Sequence, residues 1–369
     1  MTKKYPRAEE WLIGLGVRIP FRLPRVKRRL SHNPLARIIQ SRMPSRNILL
    51  LLLASALLFT TRCSPAPTAT PTPPTLTATP EPTRTPARAT RTPAPIKPSL
   101  ASKVERDVTY CTVDGVALNM DLYFPAPSDK PMPVAVNAHG GSWSGGDKSS
   151  SEGAPDIPEL VARGYLVVTI NYRLAPKYKV PAQIEDVKCA IRHLRANAAT
   201  YHLDPNRIGA WGCSAGGHLV SLLAFTDKRT DFDGTGGYVE QSSRVQATVP
   251  MPAPADLTLY DITERADMLS RVFGVTTSSD PRLVRASPIT YVTKAAPPFL
   301  IFAAENDTII SPVQGQVLYD RLKAAGVPAT LVIAKNARHC FPSSPTPISP
   351  TREEISKMIA DFFDRAMRP

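Results

Sequence analysis

The sequence predicts an α/β fold built on a large, mostly parallel sheet, and three observations carry that prediction. First comes a period-2 segment: Val116, Leu118, Met120, Leu122 and Phe124 alternate with other residues, as in a strand with one buried face. Short unbroken apolar runs follow at 133–138, 165–170, 208–211, 246–251, 298–304 and 330–334, the pattern of strands covered on both sides. Between them lie stretches of helical period. Ile184, Val187, Ile191 and Leu194 share one face, as do Val313, Val317, Leu318 and Leu322. An antiparallel start that gives way to alternating strands and helices belongs to the α/β class, with helices on both faces of the sheet.

Each element has a local cause. Asp114-Gly115 separates a strand at 106–112 from the period-2 strand and is a hairpin turn signal. Gly326 stands where the helix over 313–322 needs a C-cap. Thr351 and Glu354 have capping-box spacing, and Ile355, Met358, Ile359, Phe362 and Phe363 follow at helical intervals. The 45 residues or so between Pro252 and Pro297 are expected to form a small lid over the site. No internal repeat is present.

The chain divides by composition into a basic extension (1–46), a signal or anchor segment (47–63), a Thr/Pro-rich linker (64–103) and a globular part (104–369). Residues 1–106 hold 19 of the 45 Lys and Arg but only 4 of the 31 Asp and Glu, which leaves 107–369 with a net charge of −1. The overall +14 therefore belongs to the N-terminal arm and gives no basic groove for nucleic acid. The apolar run Ile48–Phe59 is shorter than the ~20 residues that span a bilayer and suits a signal peptide. Met43-Pro-Ser-Arg makes a short basic segment before it, so either Met43 is the true start or 1–42 is a cytoplasmic extension. Cys63 follows the run where a lipoprotein signal carries its acylated cysteine, although Thr61-Arg62 precede it instead of small residues. Lipid anchor, uncleaved anchor and free secretion remain the three readings, so the chain is expected to be exported, with membrane contact through the N-terminal segment only. Residues 64–98 hold eleven prolines and ten threonines. Such a stretch cannot pack a core and reads as a semi-rigid spacer.

Five cysteines, Cys63, Cys111, Cys189, Cys213 and Cys340, show no zinc or C-x-x-C spacing. Export permits disulfides. Connectivity is not legible, and the expectation is buried, unpaired thiols, with a Cys213–Cys340 bridge as the alternative.

The chemistry centres on Gly212-Cys213-Ser214-Ala215-Gly216, which follows an apolar run and precedes a helix-like stretch, His218–Phe225. That is the strand–turn–helix context of a nucleophile elbow with Ser214 as nucleophile. Three fixed residues at usage near 7 per cent recur by chance in roughly one chain in ten of this length, so context carries the assignment. His139-Gly140-Gly141-Ser142-Trp143 follows a buried strand. The N–H groups of Gly140 and Gly141, with that of Ala215, are candidates for an oxyanion hole. The acid and the histidine should follow later strands in that order. Asp307 lies just past 298–304 and His339 just past 330–334. His339 is then the general base and acid, oriented by Asp307. Glu305 competes for the acid role. His218, one helical turn after Ser214, reads as a packed structural histidine, and His193 and His202 as surface or structural.

Several further segments resemble one group. They are Asn171-Tyr-Arg-Leu-Ala-Pro176, Pro181–Ala190, Asp204-Pro-Asn-Arg-Ile-Gly209, Gly212–His218, Ala286–Tyr291 and Ala296–Leu300. Together they are similar to the bacterial feruloyl-esterase-like, hormone-sensitive-lipase-related branch of the α/β-hydrolases, over about 106–367. The resemblance implies carboxylesterase activity on a small-molecule ester, with no cofactor or metal, and Ser214, Asp307 and His339 as triad. Three departures stand out: Ser142 in place of a third glycine, Cys340 where the family usually has glycine, and Ala304-Glu305 where His-Gly is common. The pattern also includes Arg173 and Asp186, expected to pair behind the site. Asp231–Gly236 begins like a calcium loop, but position twelve is Ser242 instead of Glu. The expected substrates are short-chain or aromatic esters, carbohydrate-linked ones among them. An arylformamidase-like or peptidase-like hydrolase and a non-catalytic surface binding protein are the alternatives.

Overall fold

The computed structural model describes residues 101–150, 156–227 and 229–367. The basic extension, the segment carrying Cys63 and the linker to residue 100 lie outside them. Among the described residues no helix is long and apolar enough to cross a membrane.

Eight strands form one sheet in the order β1-β2-β4-β3-β5-β6-β7-β8. They are β1 (Lys103–Val113), β2 (Val116–Phe124), β3 (Met132–Ala138), β4 (Leu166–Ile170), β5 (Leu203–Gly212), β6 (Ala247–Pro250), β7 (Phe299–Ala304) and β8 (Ala329–Ala334). The hairpin β1–β2 and the β2–β4 pair are antiparallel, and all later pairs are parallel. Every apolar run became a strand. The hairpin turns at Asp114 and Gly115, both at positive φ (50° and 74°), as a tight two-residue turn requires.

Period-2 alternation sets the two layers. On β3, Val134 and Val136 face α2 (Ala182–Ala196) and α4 (Ala215–Phe225), whose Ile184, Val187, Leu219 and Leu222 share their cluster. Ala135 faces the other way, toward α1 (Ile157–Ala162) and α8 (Arg352–Ala366), with Leu160, Ile355 and Phe363. Near the β8 edge, Leu318 and Leu322 of α7 (Val313–Ala324) cover Phe299 and Ile301 of β7. The capping box at Thr351 and Glu354 is present on α8. Gly326 follows α7 at φ +76°.

Three expectations are corrected. The folded part starts before 104, because the Ser102 N–H already donates to the Phe124 carbonyl at 2.9 Å. Strand β2 is covered on both faces: Asp121 and Tyr123 are buried too, and the Asp121 carboxylate is matched by Arg106 at 3.1 Å and Lys148 at 3.2 Å. Of the two readings of His193, surface or structural, the structure has the second: it is buried, with Nε2 3.1 Å from the Tyr201 hydroxyl. The largest correction concerns the thiols. Cys111 of β1 is bonded to Cys189 of α2, and Cys213 to Cys340, with Cα separations of 6.5 and 5.9 Å. Partners 78 and 127 residues apart leave no trace in spacing, and only the fold puts them within reach.

The 252–297 segment folds into two 3₁₀ turns and the helices α5 (Ile262–Phe273) and α6 (Pro281–Ala286), capped by Asp261 and Asp280. The carboxylates of the calcium-like stretch are engaged by cations instead: Asp231 by Arg229 and Arg285, Asp233 by Lys188 and Arg192.

Candidate active site

Strand β5 ends at Gly212 and α4 begins at Ala215, so Cys213 and Ser214 turn the chain. Ser214 adopts φ 58° and ψ −124°, a conformation that costs a non-glycine residue about 1–3 kcal/mol. The turn brings backbones into contact, and a Cβ on Gly216 would stand 2.0 Å from the Ala138 carbonyl oxygen. That approach sets the loop after β3 against the first turn of α4. The Ser214 N–H donates to Pro252 O at 2.9 Å, tying the elbow to the segment after β6.

The loop after β3 is wound tightly. Gly141 sits at φ +116°, where a Cβ would lie 2.2 Å from the Gly145 oxygen. Ser142 and Trp143 continue at positive φ. The N–H groups of Ser144 and Gly145 both close on Gly141 O at 3.0 Å. His139 stacks on Tyr172 with centroids 4.2 Å apart and donates through Nδ1 to Gly140 O at 2.7 Å. Burial holds this imidazole below its usual range, hence neutral. Among the described residues the N–H groups of Gly140, Gly141 and Ala215 donate to no backbone oxygen. Ala215 also opens α4, where the helix dipole is positive.

Asp307 and His339 meet. His339 Nδ1 donates to Asp307 Oδ2 at 2.7 Å, while Asp307 Oδ1 accepts the N–H groups of Ile309 and Ile310, each at 2.8 Å. Both carboxylate oxygens are used and the side chain is wholly buried, so its orientation is fixed. Glu305 does other work: it accepts the Asn336 N–H at 2.9 Å and joins the two loops from outside. The Cys213–Cys340 bond links the neighbour of Ser214 to the neighbour of His339, and a His339 ring nitrogen lies within 4.8 Å of Cys213 Sγ. No hydrogen bond joins Ser214 Oγ to the ring among the described residues. Such bonds are often completed only when substrate binds.

His218 is packed beneath the site, as its position in the sequence suggests. Trp143 Nε1 can only donate, so its 3.3 Å contact makes His218 Nδ1 an acceptor and leaves Nε2–H to donate to Ala286 O at 2.8 Å. One ring thus joins α4, the glycine loop and the 252–297 segment. Burial lowers its pKa to about 4. Arg173 and Asp186 pair as expected, through Nε–oxygen distances of 3.0 and 2.9 Å, and Arg173 also reaches Asp114 and Glu185.

A cavity of about 460 Å³ opens beside Asp307, between Tyr260 and Arg265 on one wall and Ile309 and Gln314 on the other. The 252–297 segment therefore forms one wall of a pocket at the acid loop. A second cavity of about 450 Å³ adjoins His139 and is lined by Asp147, Asn171, Tyr172 and Lys177.

Sequence reading missed the Trp143–His218–Ala286 chain of bonds and the linking role of Glu305. It left the Cys213–Cys340 bond as the minor reading, although the adjacency of Cys213 to Ser214 and of Cys340 to His339 was a visible signal.

Comparison with known proteins adds the relationship. The BD-FAE family model matches residues 120–322, more than half of the chain. The chain belongs to the BD-FAE family. Its α/β-hydrolase scaffold is the one expected from the elbow and strand order, in the hormone-sensitive-lipase-related branch. This BD-FAE chain is 36% identical to Esterase LipC of Mycobacterium tuberculosis over 200 residues, 53% of this chain and 49% of LipC. It is 32% identical to Carboxylesterase NlhH of the same organism, over 62% of this chain and 71% of NlhH. The chain spans about half the length of the curated relatives LipC and LipM. Among solved structures, a truncated carbohydrate esterase from gut microbiota superposes with a TM-score of 0.65 at 27% identity, over 74% of this chain and 99% of that one. Thermogutta terrifontis esterase 2 shares the fold, with a TM-score of 0.62 at 24% identity over 73% of this chain and 97% of that one.

Proposed function

We propose that this BD-FAE protein is a serine carboxylesterase that cleaves short-chain or aromatic esters, carbohydrate-linked ones among them, through an acyl-enzyme on Ser214. The observation that carries the reading is the 2.7 Å Asp307–His339 hydrogen bond beside a strained elbow serine. The His339 Nε2 takes the Ser214 proton as Oγ attacks the ester carbonyl. The N–H groups of Gly140, Gly141 and Ala215 receive the negative charge on the carbonyl oxygen. His339 then returns the proton to the leaving alcohol, and a water repeats the cycle to free the acid. Asp307, fixed by two amides, holds the ring with Nδ1 protonated throughout. The naming of LipC and NlhH as esterases and of a superposable structure as a carbohydrate esterase supports the ester and the sugar. A cavity of about 460 Å³ at the acid loop has the volume of a small-molecule subsite.

We place the enzyme outside the cytoplasm, tethered through its N-terminal segment, with the Thr/Pro-rich stretch 64–98 as spacer. Two disulfides in the folded part support an oxidising compartment.

The test is hydrolysis of p-nitrophenyl acetate by the full-length chain beside Ser214→Ala and Asp307→Asn. Ser214→Ala should lose the activity, and Asp307→Asn should lower kcat about 10³- to 10⁴-fold with KM little changed. A wild type no faster than Ser214→Ala on this ester and on acetylated and feruloylated sugars would refute the reading.

A further inference from the structure

We infer that the Cys213–Cys340 disulfide is a positioning bridge for catalysis, one that makes turnover depend on the oxidation state of the protein. The inference rests on the serine-esterase reading and adds to it a specific device. Its partners are the residue before Ser214 and the residue after His339, so a single covalent bond couples the two reacting groups. No position further along either segment would give so direct a link.

The loop that carries His339 needs such a link. It runs from 335 to 351, between β8 and α8. Its base is secured: Lys335 and Ser349 pair in both directions, and Asn306 N–H donates to Ala337 O at 2.9 Å. From 338 to 348 the described residues make no backbone hydrogen bond to the sheet, only the local Phe341 N–H to Arg338 O. Across that span the loop is held by the Asp307 carboxylate, the packing of Phe341 on Phe302 and under Arg352, the Asn336 Nδ2 bond to Pro347 O at 3.2 Å and the disulfide. Asp307 fixes the tilt of the ring toward itself. Among the described residues the disulfide is the covalent tie to the elbow, the side from which Ser214 must be met.

Backbone conformation at the bridge gives a second, independent argument. Cys340 and Phe341 both stand at φ 56°. Glycine takes this left-handed geometry freely, whereas a residue with a Cβ is disfavoured there. A glycine at 340 would relax one of these two positions. This chain accepts the unfavourable Cβ, and what that Cβ carries is the sulfur bonded to Cys213. On the other side Cys213 is fully buried in the layer with Trp211 and Phe302, so its end of the bridge is immobile.

Reduction by a dithiol breaks the S–S bond. The two sulfurs take up two electrons and two protons and separate as thiols, while the reagent closes to its own disulfide. Attack falls on Cys340, the half-buried partner. The His339 loop then loses its tie to the elbow while Asp307 keeps its hydrogen bond to the ring. A ring displaced by an ångström still binds no worse but transfers protons poorly, so kcat should fall about 10- to 100-fold with KM nearly constant.

The second disulfide provides the control. In full-length Cys111→Ala/Cys189→Ala, the Cys213–Cys340 bond is the one reducible bridge among the described residues. The oxidised control should hydrolyse p-nitrophenyl acetate with wild-type kcat. Dithiothreitol should lower its kcat with KM unchanged, and removing the reductant in air should restore it. Cys213→Ala/Cys340→Gly, which supplies a residue suited to positive φ, should be folded by circular dichroism, low in kcat and indifferent to dithiothreitol. Unchanged kcat on reduction, or full kcat in the bridgeless variant, refutes the positioning role while leaving the esterase intact. An oxidised wild type no faster than Ser214→Ala removes the esterase reading and the bridge's role with it.

Discussion

At the residue scale, His218 shows how a buried neutral group makes stability depend on acid. Its two nitrogens are committed, one accepting from Trp143 and one donating to Ala286. A second proton would set Nδ1–H against the Trp143 N–H, in a fully buried site. The unfolded chain takes up that proton near pH 6.5, the folded one only near pH 4. Between those values the unfolded state binds more protons, so stability present above pH 6.5 is lost as the pH falls to 4. The size of the effect is about 3 kcal/mol. Urea titrations at about pH 7 and about pH 4.5 should show this loss, and His218→Gln, though less stable near neutrality, should lose less on acidification. Equal slopes for the two proteins would remove His218 as the cause. The same side chain was legible in the sequence only as packed, because helical spacing tells which way a residue faces and not which carbonyl waits there.

At the element scale, the loop after β4 is held by one ion cluster. Arg173 is almost fully buried, with a side chain 4% exposed, and its guanidinium meets Asp186 and Glu185 of α2 and Asp114 of the hairpin turn. Removing the cation leaves the Asp186 carboxylate inside without a partner, a change that typically costs about 3–5 kcal/mol. Arg173→Met, which keeps the apolar stem, should lower the unfolding free energy in urea by that amount, and a shift within error would show the cluster to be neutral. This pair was visible beforehand, since Asn171–Pro176 and Pro181–Ala190 carry it as motif. Strand positions were visible too, because an unbroken apolar run bounded by turn residues has to be covered on both faces. The second covered face of β2 was not: Asp121 looks like a solvent-facing residue until Arg106 and Lys148 arrive from elsewhere in the chain. The order of Ser214, Asp307 and His339 could be read from strand ends, whereas the choice of Asp307 over Glu305 needed the loop's turn, which points one carboxylate at the imidazole and the other at Asn336.

At the scale of the whole molecule, the Cys111–Cys189 bond fastens the antiparallel hairpin to the helical layer behind it. It closes a loop of 78 residues, and its loss should cost about 2–4 kcal/mol, mostly through the greater freedom of the unfolded chain. Differential scanning calorimetry of Cys111→Ala/Cys189→Ala should show a lower Tm, while kcat at room temperature stays near wild type. An unchanged Tm would mean that hairpin packing already suffices. The two bridges thus divide the labour: one acts on whether the chain stays folded, the other on whether its parts meet.

The left-handed turn at Cys340 bears on heredity. A chain that acquired Cys213 first would lose little, since a small thiol sits comfortably among apolar neighbours. One that acquired Cys340 first would carry a strained backbone and gain no bond for it. The two substitutions that build the bridge are therefore unequal, the one at 340 being strained until its partner is in place.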